Sequence, residues 1–394
     1  MDHPGRLIKT YRERCGMTQA ELAAQWHGPG CGVSVRYVQE VEAGQRRLRD
    51  PQVLRRLSAL LGIPLWLFGL DEYDPETGVL SGPHLLALLE QLIRHAWQVR
   101  RAAPLPVIEQ AVALPRMLVE RYRVLSEPRF LRLAAQVERL EAVLAVEQKR
   151  YPQALAHFQR MYATAQQLGE PDTLAIALMG IGTELERANR LPEAVEALEA
   201  ANRLATRASR AVERLVSAYL ARVYASVHDE RHFGHAIERA LCLAGSAYGA
   251  EQGEDFVFQP LSGVLAEQSY GLLDLQQPRQ ALALQPHLLQ QIAAERNSWL
   301  RAWIPLDWAR AWLLLGEVEA SVQELRDFLQ HSLALGSPHM ISRAFRHKRL
   351  LERYETASVR LLSEELDELA RSLPAESVVE DAYGLAREDL QQDR

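Results

Sequence analysis

The chain has 394 residues, 48% hydrophobic and 24% charged, with 22 glycines and 19 prolines, a globular composition with room for two or three domains or one long repeat array. Three cysteines, Cys15, Cys31 and Cys242, are too few for a disulfide framework or a cysteine-rich zinc site, and no apolar run is long enough to span a bilayer; a reducing, cytoplasmic setting is expected. The net charge of −6 divides into +4 over residues 1–70 and −10 over the remainder, so the two parts are expected to meet different partners.

Helical periodicity runs through the whole sequence without the alternation a sheet requires, predicting an all-α protein. In the first seventy residues, Leu7, Ile8 and Tyr11 mark an inward face before Gly16. Thr18-Gln-Ala-Glu21 forms a capping box, Ser34 opens a third helix closed by Gly44, Asp50-Pro51 opens a fourth ending at Gly62, and Ile63 to Leu70 supplies a fifth element.

A short helix at Thr18-Gln19 followed by the Ser34 to Ala43 helix has helix-turn-helix spacing, in which the second helix enters a major groove. The matching residues are Thr18-Gln19, Glu21-Leu22-Ala23, Gly32-Val33-Ser34, Val38, Val41-Glu42, Gly44, Asp50-Pro51 and Leu60-Leu61-Gly62, and through them the region resembles the Cro/C1-type (XRE) repressor family. The resemblance implies a five-helix DNA-binding domain over residues 1–70. Val35, Arg36, Tyr37 and Glu40 then occupy the base-reading face, while Thr18, Gln19, Ser34, Gln39, Arg46, Arg47 and Arg49 lie nearer backbone phosphates. Between Ala23 and Gly32 the chain is longer than the family pattern, so the piece Trp26-His-Gly-Pro-Gly-Cys31 is expected to bulge outward. Its GPGCG run lacks the preceding strand and following Lys-Ser/Thr of a phosphate loop. Paired half-sites make a homodimer on double-stranded, palindromic operator DNA the expectation.

Turn formers and acids from Asp71 to Pro83 read as a linker, residues 84–130 as a helical junction, and residues 131–394 as a repeat domain with a C-terminal cap. The repeat is carried by small residues, Ala154, Ala194, Ala236, Ala281 and Ser321, each near the start of a second helix and separated by 40, 42, 45 and 40 residues. This resembles tetratricopeptide repeats with longer helices and implies a right-handed α-solenoid; Gly182 falls at a small position of a first helix. From Ser363 onward ten acids against three arginines suit a solvated terminal surface.

An XRE-type reader joined to a long-period tetratricopeptide array resembles the RRNPP family of peptide-sensing (quorum-sensing) regulators, which implies a transcription regulator whose repeat domain binds a short signalling peptide. Counting from the small-residue anchors puts Arg139, Met179, Thr183, Glu186, Arg187, Glu267, Tyr270, Trp303, Asp307 and Arg310 on the concave face. The alternative is a scaffold whose array docks a partner protein, with the helix-turn-helix as a tether. His228-Asp-Glu-Arg-His232, with His235, lacks the Glu a zinc protease needs after its first His and reads as a polar turn; no nucleophile elbow or P-loop occurs, so neither catalysis nor a metal or other cofactor is expected.

Overall fold

The computed structural model describes residues 4–28, 32–68, 70, 82–123, 125–245, 257 and 259–374. Among the described residues every regular element is a helix. The chain forms two compact units, one of residues 1–91 with 122–125, the other of residues 92–121 with 126–394.

The first unit begins with α1 (Pro4–Arg14), α2 (Gln19–Gln25), α3 (Val35–Glu42) and α4 (Pro51–Leu61), and its fifth element is a 3-10 turn, Leu65–Phe68. Local chemistry sets the boundaries. The Thr18 hydroxyl accepts from Glu21 N while Glu21 returns to Thr18 N; Ser34 and Asp50 side chains accept from Tyr37 N and Gln52 N; Gly62 ends α4 at φ 69°. Helices of seven and eight residues, as α2 and α3 are, fall well short of the roughly 12–15 residues that hold alone in water. Their stability comes from a shared core of Ile8, Leu22, Val38, Val41 and Leu57, each completely buried.

Trp26 belongs to that core, completely buried and edge-on to Tyr37 at 5.6 Å, so the outward excursion does not begin at Trp26 as the spacing suggested. An indole is too large an apolar surface to leave in water when a gap between α2 and α3 accepts it. Residues 29–31 of the extended turn lie outside the described residues. The chain rejoins α2 where Val33 N donates to Ala23 O at 2.8 Å, and a Cβ on Gly32 would sit 2.7 Å from that carbonyl oxygen. Of the expected linker, residues 71–81 lie outside the described residues, and Gly82 and Pro83 open α5 (Gly82–Arg100).

In the second unit, α6 (Leu105–Arg121) precedes a row of helical hairpins. They are α7 (Pro128–Glu147) with α8 (Tyr151–Leu168), α9 (Pro171–Arg187) with α10 (Leu191–Ala205), and α11 (Arg210–Ser226) with α12 (Glu230–Gly245). Next come α13 (Leu261–Asp274) with α14 (Pro278–Ala283) and α15 (Gln285–Glu295), α16 (Ser298–Leu314) with α17 (Val318–Leu335), and α18 (Pro338–Leu351) with α19 (Ala357–Ser372). The second helix of the fourth hairpin breaks at Leu284, just before Pro286, whose missing N–H cannot serve a continuous helix. Most of the acidic terminal surface expected after Ser363 lies beyond residue 374, outside the described residues.

The repeat has two physical marks. Ala154, Ala194, Ala236, Ala281 and Ser321 are all buried where paired helices approach. Opposite them, a Cβ on Gly180 would meet the Phe158 ring at 2.2 Å, and one on Gly271 the Phe233 ring at 2.4 Å. The second mark is a left-handed residue in the turn within each of the first five hairpins: Lys149, Asn189, His228, Gln276 and Gly316, with φ between 57° and 79°. After each, the next N–H reaches a carbonyl five residues back, as Arg190 N does to Leu185 O at 2.9 Å and Asp229 N to Tyr224 O at 2.8 Å. His228 is therefore a turn residue, and His232 pairs with Asp229 at 2.6 Å; no metal-binding group of three or more His, Cys, Asp or Glu occurs among the described residues.

The row curves until α18 returns to α7: Ser337 Oγ donates to Glu147 Oε2 at 2.6 Å, and Tyr151 OH meets His339 Nδ1 at 2.9 Å. No described helix is long and apolar enough to cross a membrane.

Candidate functional site

In the N-terminal unit the candidate surface is the outer face of α3. Val35 is 40% exposed and the Arg36 side chain 87% exposed, while Val38 and Val41 one helical face away are completely buried. Arg36 Nε donates to Glu40 Oε1 at 3.0 Å, Arg46 lies 3.8 Å from the other Glu40 oxygen, and the Arg46 guanidinium stacks 4.7 Å over Tyr37. Of the four expected base readers Val35 and Arg36 are thus exposed and Tyr37 and Glu40 half-buried; Arg36, Glu40, Arg46 and Tyr37 form one paired cluster, with Tyr37 also edge-on to Trp26. Arg47 and Arg49 are exposed on the segment that follows.

Behind the cluster stands a polar relay in which Arg12 and Glu42 were not foreseen as site residues. Arg12 of α1 grips Glu42 of α3 through Nε at 2.6 Å and Nη2 at 3.0 Å, both side chains almost fully buried. Glu42 Oε2 also accepts from Gln19 Nε2 at 2.8 Å, and Gln19 Oε1 accepts from Gln39 Nε2 at 3.2 Å. The relay fixes the rotamers of the two glutamines assigned to phosphate contact and locks the crossing of α1, α2 and α3. The only sequence signal was an arginine on the inward face of α1.

The second unit holds a cavity of about 840 Å³, lined by α5 and by the first helices of all six hairpins. Of the ten expected ligand residues, Arg139, Met179, Thr183, Arg187, Glu267, Tyr270, Trp303 and Asp307 line it. Glu186 and Arg310 do not: each is spent one layer back, Glu186 on Arg222 at 3.0 Å and Arg310 on Asp274 at 2.8 Å. Thr183 returns its hydroxyl proton to Met179 O at 2.8 Å, so it supplies wall and no free donor. Extending the same register to α11 reaches Tyr219 and Arg222, which the counting omitted. Trp97 and Arg100 of α5 and His339 of α18 also line the cavity, from helices outside the counted set.

The lining is charged and aromatic together. Guanidiniums stack on rings: Arg139 on Trp97 at 4.7 Å, Arg100 on Trp299 at 4.4 Å and Arg222 on Tyr270 at 4.6 Å. Arg187 meets Glu184 at 3.3 Å and His339 Nε2 at 3.3 Å. Burial, reinforced by Arg187, holds His339 well below the ordinary histidine range, so it is neutral at neutral pH. Burial pushes Asp307 and Glu267 up to about 7, against the partial offset of Arg310 and Arg222 respectively.

Among curated proteins none matches the chain. Among solved structures the chain is similar to Bacillus thuringiensis PlcR in complex with the peptide PapR7 and DNA, at 13% identity and a TM-score of 0.33, over 97% of this chain and 100% of that one. Residues 5–65 match a family model described as a helix-turn-helix domain, and the chain carries a helix-turn-helix DNA-binding domain there.

Proposed function

We propose that the protein is a sequence-specific transcription regulator, active as a homodimer, whose helical-repeat unit senses a short peptide. The observation that carries the DNA-binding part is the outer face of α3: Arg36 stands 87% exposed on a helix whose opposite face is locked into the core. An arginine there can pair bidentately with guanine, a contact worth about 1–3 kcal/mol of discrimination, and its exposed pairing with Glu40, worth about 0.3–0.5 kcal/mol, is readily exchanged.

The sensing part is supported by the cavity of about 840 Å³, within the ~300–1,000 Å³ range of pockets that enclose small ligands. Its charged groups and stacked rings suit peptide backbone and side chains. A ligand changes DNA affinity only by favouring one arrangement of the protein over another, and a tenfold change needs about 1.4 kcal/mol of coupling.

The test is fluorescence anisotropy of the full-length protein on the DNA upstream of its own gene and on scrambled DNA across a salt series, with Arg36→Ala alongside. Saturable, sequence-selective binding weakened by roughly 1–3 kcal/mol in the variant is the expected result. If a genome-wide fragment selection also yields no preferred sequence, the regulator reading is wrong.

A further inference from the structure

Two carboxyl groups face the cavity without a counter-ion of their own. Asp307 of α16 and Glu267 of α13 both line the space. Asp307 has no hydrogen bond or ion pair among the described residues, and Glu267 has one long ion pair, 3.8 Å to Arg222 Nη1. The guanidiniums whose charge reaches them, Arg310 and Arg222, are committed elsewhere. Arg310 Nη1 holds Asp274 at 2.8 Å, and Arg222 Nε holds Glu186 at 3.0 Å while the Arg222 guanidinium lies 4.6 Å over the Tyr270 ring.

The neighbouring buried acids show what completion looks like in this unit. Glu186 and Asp274 each take a hydroxyl besides their arginine, from Ser226 Oγ at 2.8 and 3.1 Å, and Glu147 takes that of Ser337 at 2.6 Å beside Arg100 at 3.4 Å. Asp307 and Glu267 have no such set. Burial pushes both up to about 7, an effect the two arginines offset only in part, so their negative charge is held at a cost the protein itself does not relieve. Each also stands one helical turn from a ring on the same wall: Glu267 three residues before Tyr270, Asp307 four after Trp303. Aromatic faces attract cations, as the Arg222 stack on Tyr270 demonstrates here.

We propose that this part of the cavity is a cation site, which takes a positively charged group of the peptide ligand, its free amino end or a basic side chain, against Asp307 and Glu267 and beside Tyr270 and Trp303. This rests on the reading of the cavity as the sensing site and adds which group of the peptide is read. An ammonium brings three N–H donors and a guanidinium five, enough to serve both carboxylates, and either cancels charge that the wall leaves unbalanced. A peptide with no cation would leave both acids buried and uncompensated.

The experiment is affinity selection with mass-spectrometric readout, run at raised ionic strength so that adhesion to exposed acids is screened. Four random heptapeptide pools are equilibrated with the full-length protein: with a free amino end or N-acetylated, and each of these with or without Lys and Arg. The expected result is that the acetylated pool lacking Lys and Arg is retained at least tenfold less than the free pool containing them. Asp307→Asn is expected to lower retention of the free pool to that same level, and Glu267→Gln to lower it as well. Thermal unfolding of both variants establishes that they are folded. Loss on acetylation alone assigns the site to the amino end, and loss only when Lys and Arg are omitted assigns it to a side chain. Equal retention of all four pools, or wild-type retention by Asp307→Asn, overturns this proposal while leaving peptide sensing in place. No retention from any pool removes both, without touching the DNA-binding reading.

Discussion

Arg12 and Glu42 form a buried, two-point ion pair, 2.6 and 3.0 Å, between the first and third helices of the DNA-binding unit. Removing one partner strands a buried charge, at a cost of about 3–5 kcal/mol, whereas an apolar pair of similar volume need cost little. Glu42→Ala is expected to accelerate hydrogen exchange throughout α1–α3, and Arg12→Met with Glu42→Leu to restore most of the protection. The double variant should still bind operator weakly, because Gln19 has lost its anchor on Glu42. Wild-type exchange in Glu42→Ala would show that the pair does not hold the three helices.

Two glycines of adjacent hairpins, Gly234 of α12 and Gly271 of α13, should respond in opposite directions to the same change. A methyl at Gly271 meets the Phe233 ring at 2.4 Å, and overpacking of this kind costs typically 1–3 kcal/mol. At Gly234, within α12, a methyl meets nothing within 4 Å, and Gly→Ala inside a helix gains about 0.5–1 kcal/mol. Urea midpoints are therefore expected to fall for Gly271→Ala and rise for Gly234→Ala. Equal shifts would mean that close helix approach at Gly271 is not what positions the hairpin.

The turns within hairpins offer a third test. Asn189 and Gln276 hold φ 57° and 59°, a region costing a side-chain-bearing residue about 1–3 kcal/mol, and Gly316 fills the same place in the fifth hairpin at φ 79°. Gln276→Gly is expected to raise the thermal midpoint despite glycine's greater entropy in the unfolded chain. Asn189→Gly should gain less, since asparagine tolerates this region better. A lower midpoint in both variants would contradict a strained turn.

What was legible in the sequence was mainly what is local. Thr18, Ser34, Asp50 and Gly62 act on backbone groups within a few residues, so their roles follow from position alone. The small anchors were legible because close packing at Ala154 and its counterparts recurs at a fixed interval. Trp26 was misplaced because its burial depends on Tyr37 across the turn, and Arg12 was passed over because its partner lies thirty positions away. Counting along first helices reached eight cavity residues, yet missed that Glu186 and Arg310 turn to Arg222 and Asp274. His339 and Trp97 enter only because the row curves and α5 forms part of the wall, a long-range consequence no local period encodes.

The pH dependence of the repeat unit follows from groups that line the cavity. Asp307 and Glu267 titrate near 7 in the folded protein, above the ordinary 3.8 and 4.5 expected when unfolded. Between those values the folded state holds protons that the unfolded state has released, so these two groups make stability fall as pH rises from about 4 to 7. His339 works the other way: held below its ordinary 6.5, it makes stability fall as pH drops below that value. Asp307→Asn is therefore expected to raise the thermal midpoint more at pH 8 than at pH 5. An increment that does not depend on pH would show that Asp307 is not ionising under strain.

On α3, Glu40 sits between Arg36 at 3.0 Å and Arg46 at 3.8 Å, putting a negative charge on the surface we propose meets DNA. If its role is only to order the two arginines, Glu40→Gln should change affinity for all sequences alike. If it accepts from a cytosine amino group, the variant should gain non-specific affinity, having shed a repulsive charge, while losing roughly 1–3 kcal/mol of preference at one operator position. The second outcome is expected, because Glu40 is half-buried and held between two arginines, whereas the Arg36 side chain is 87% exposed. Arg47→Ala and Arg49→Ala should instead weaken all sequences equally, each reducing the slope of log affinity against log salt by about 1. Operator preferences unchanged in Glu40→Gln, with salt slopes unchanged in the arginine variants, would move the contact surface off α3 altogether.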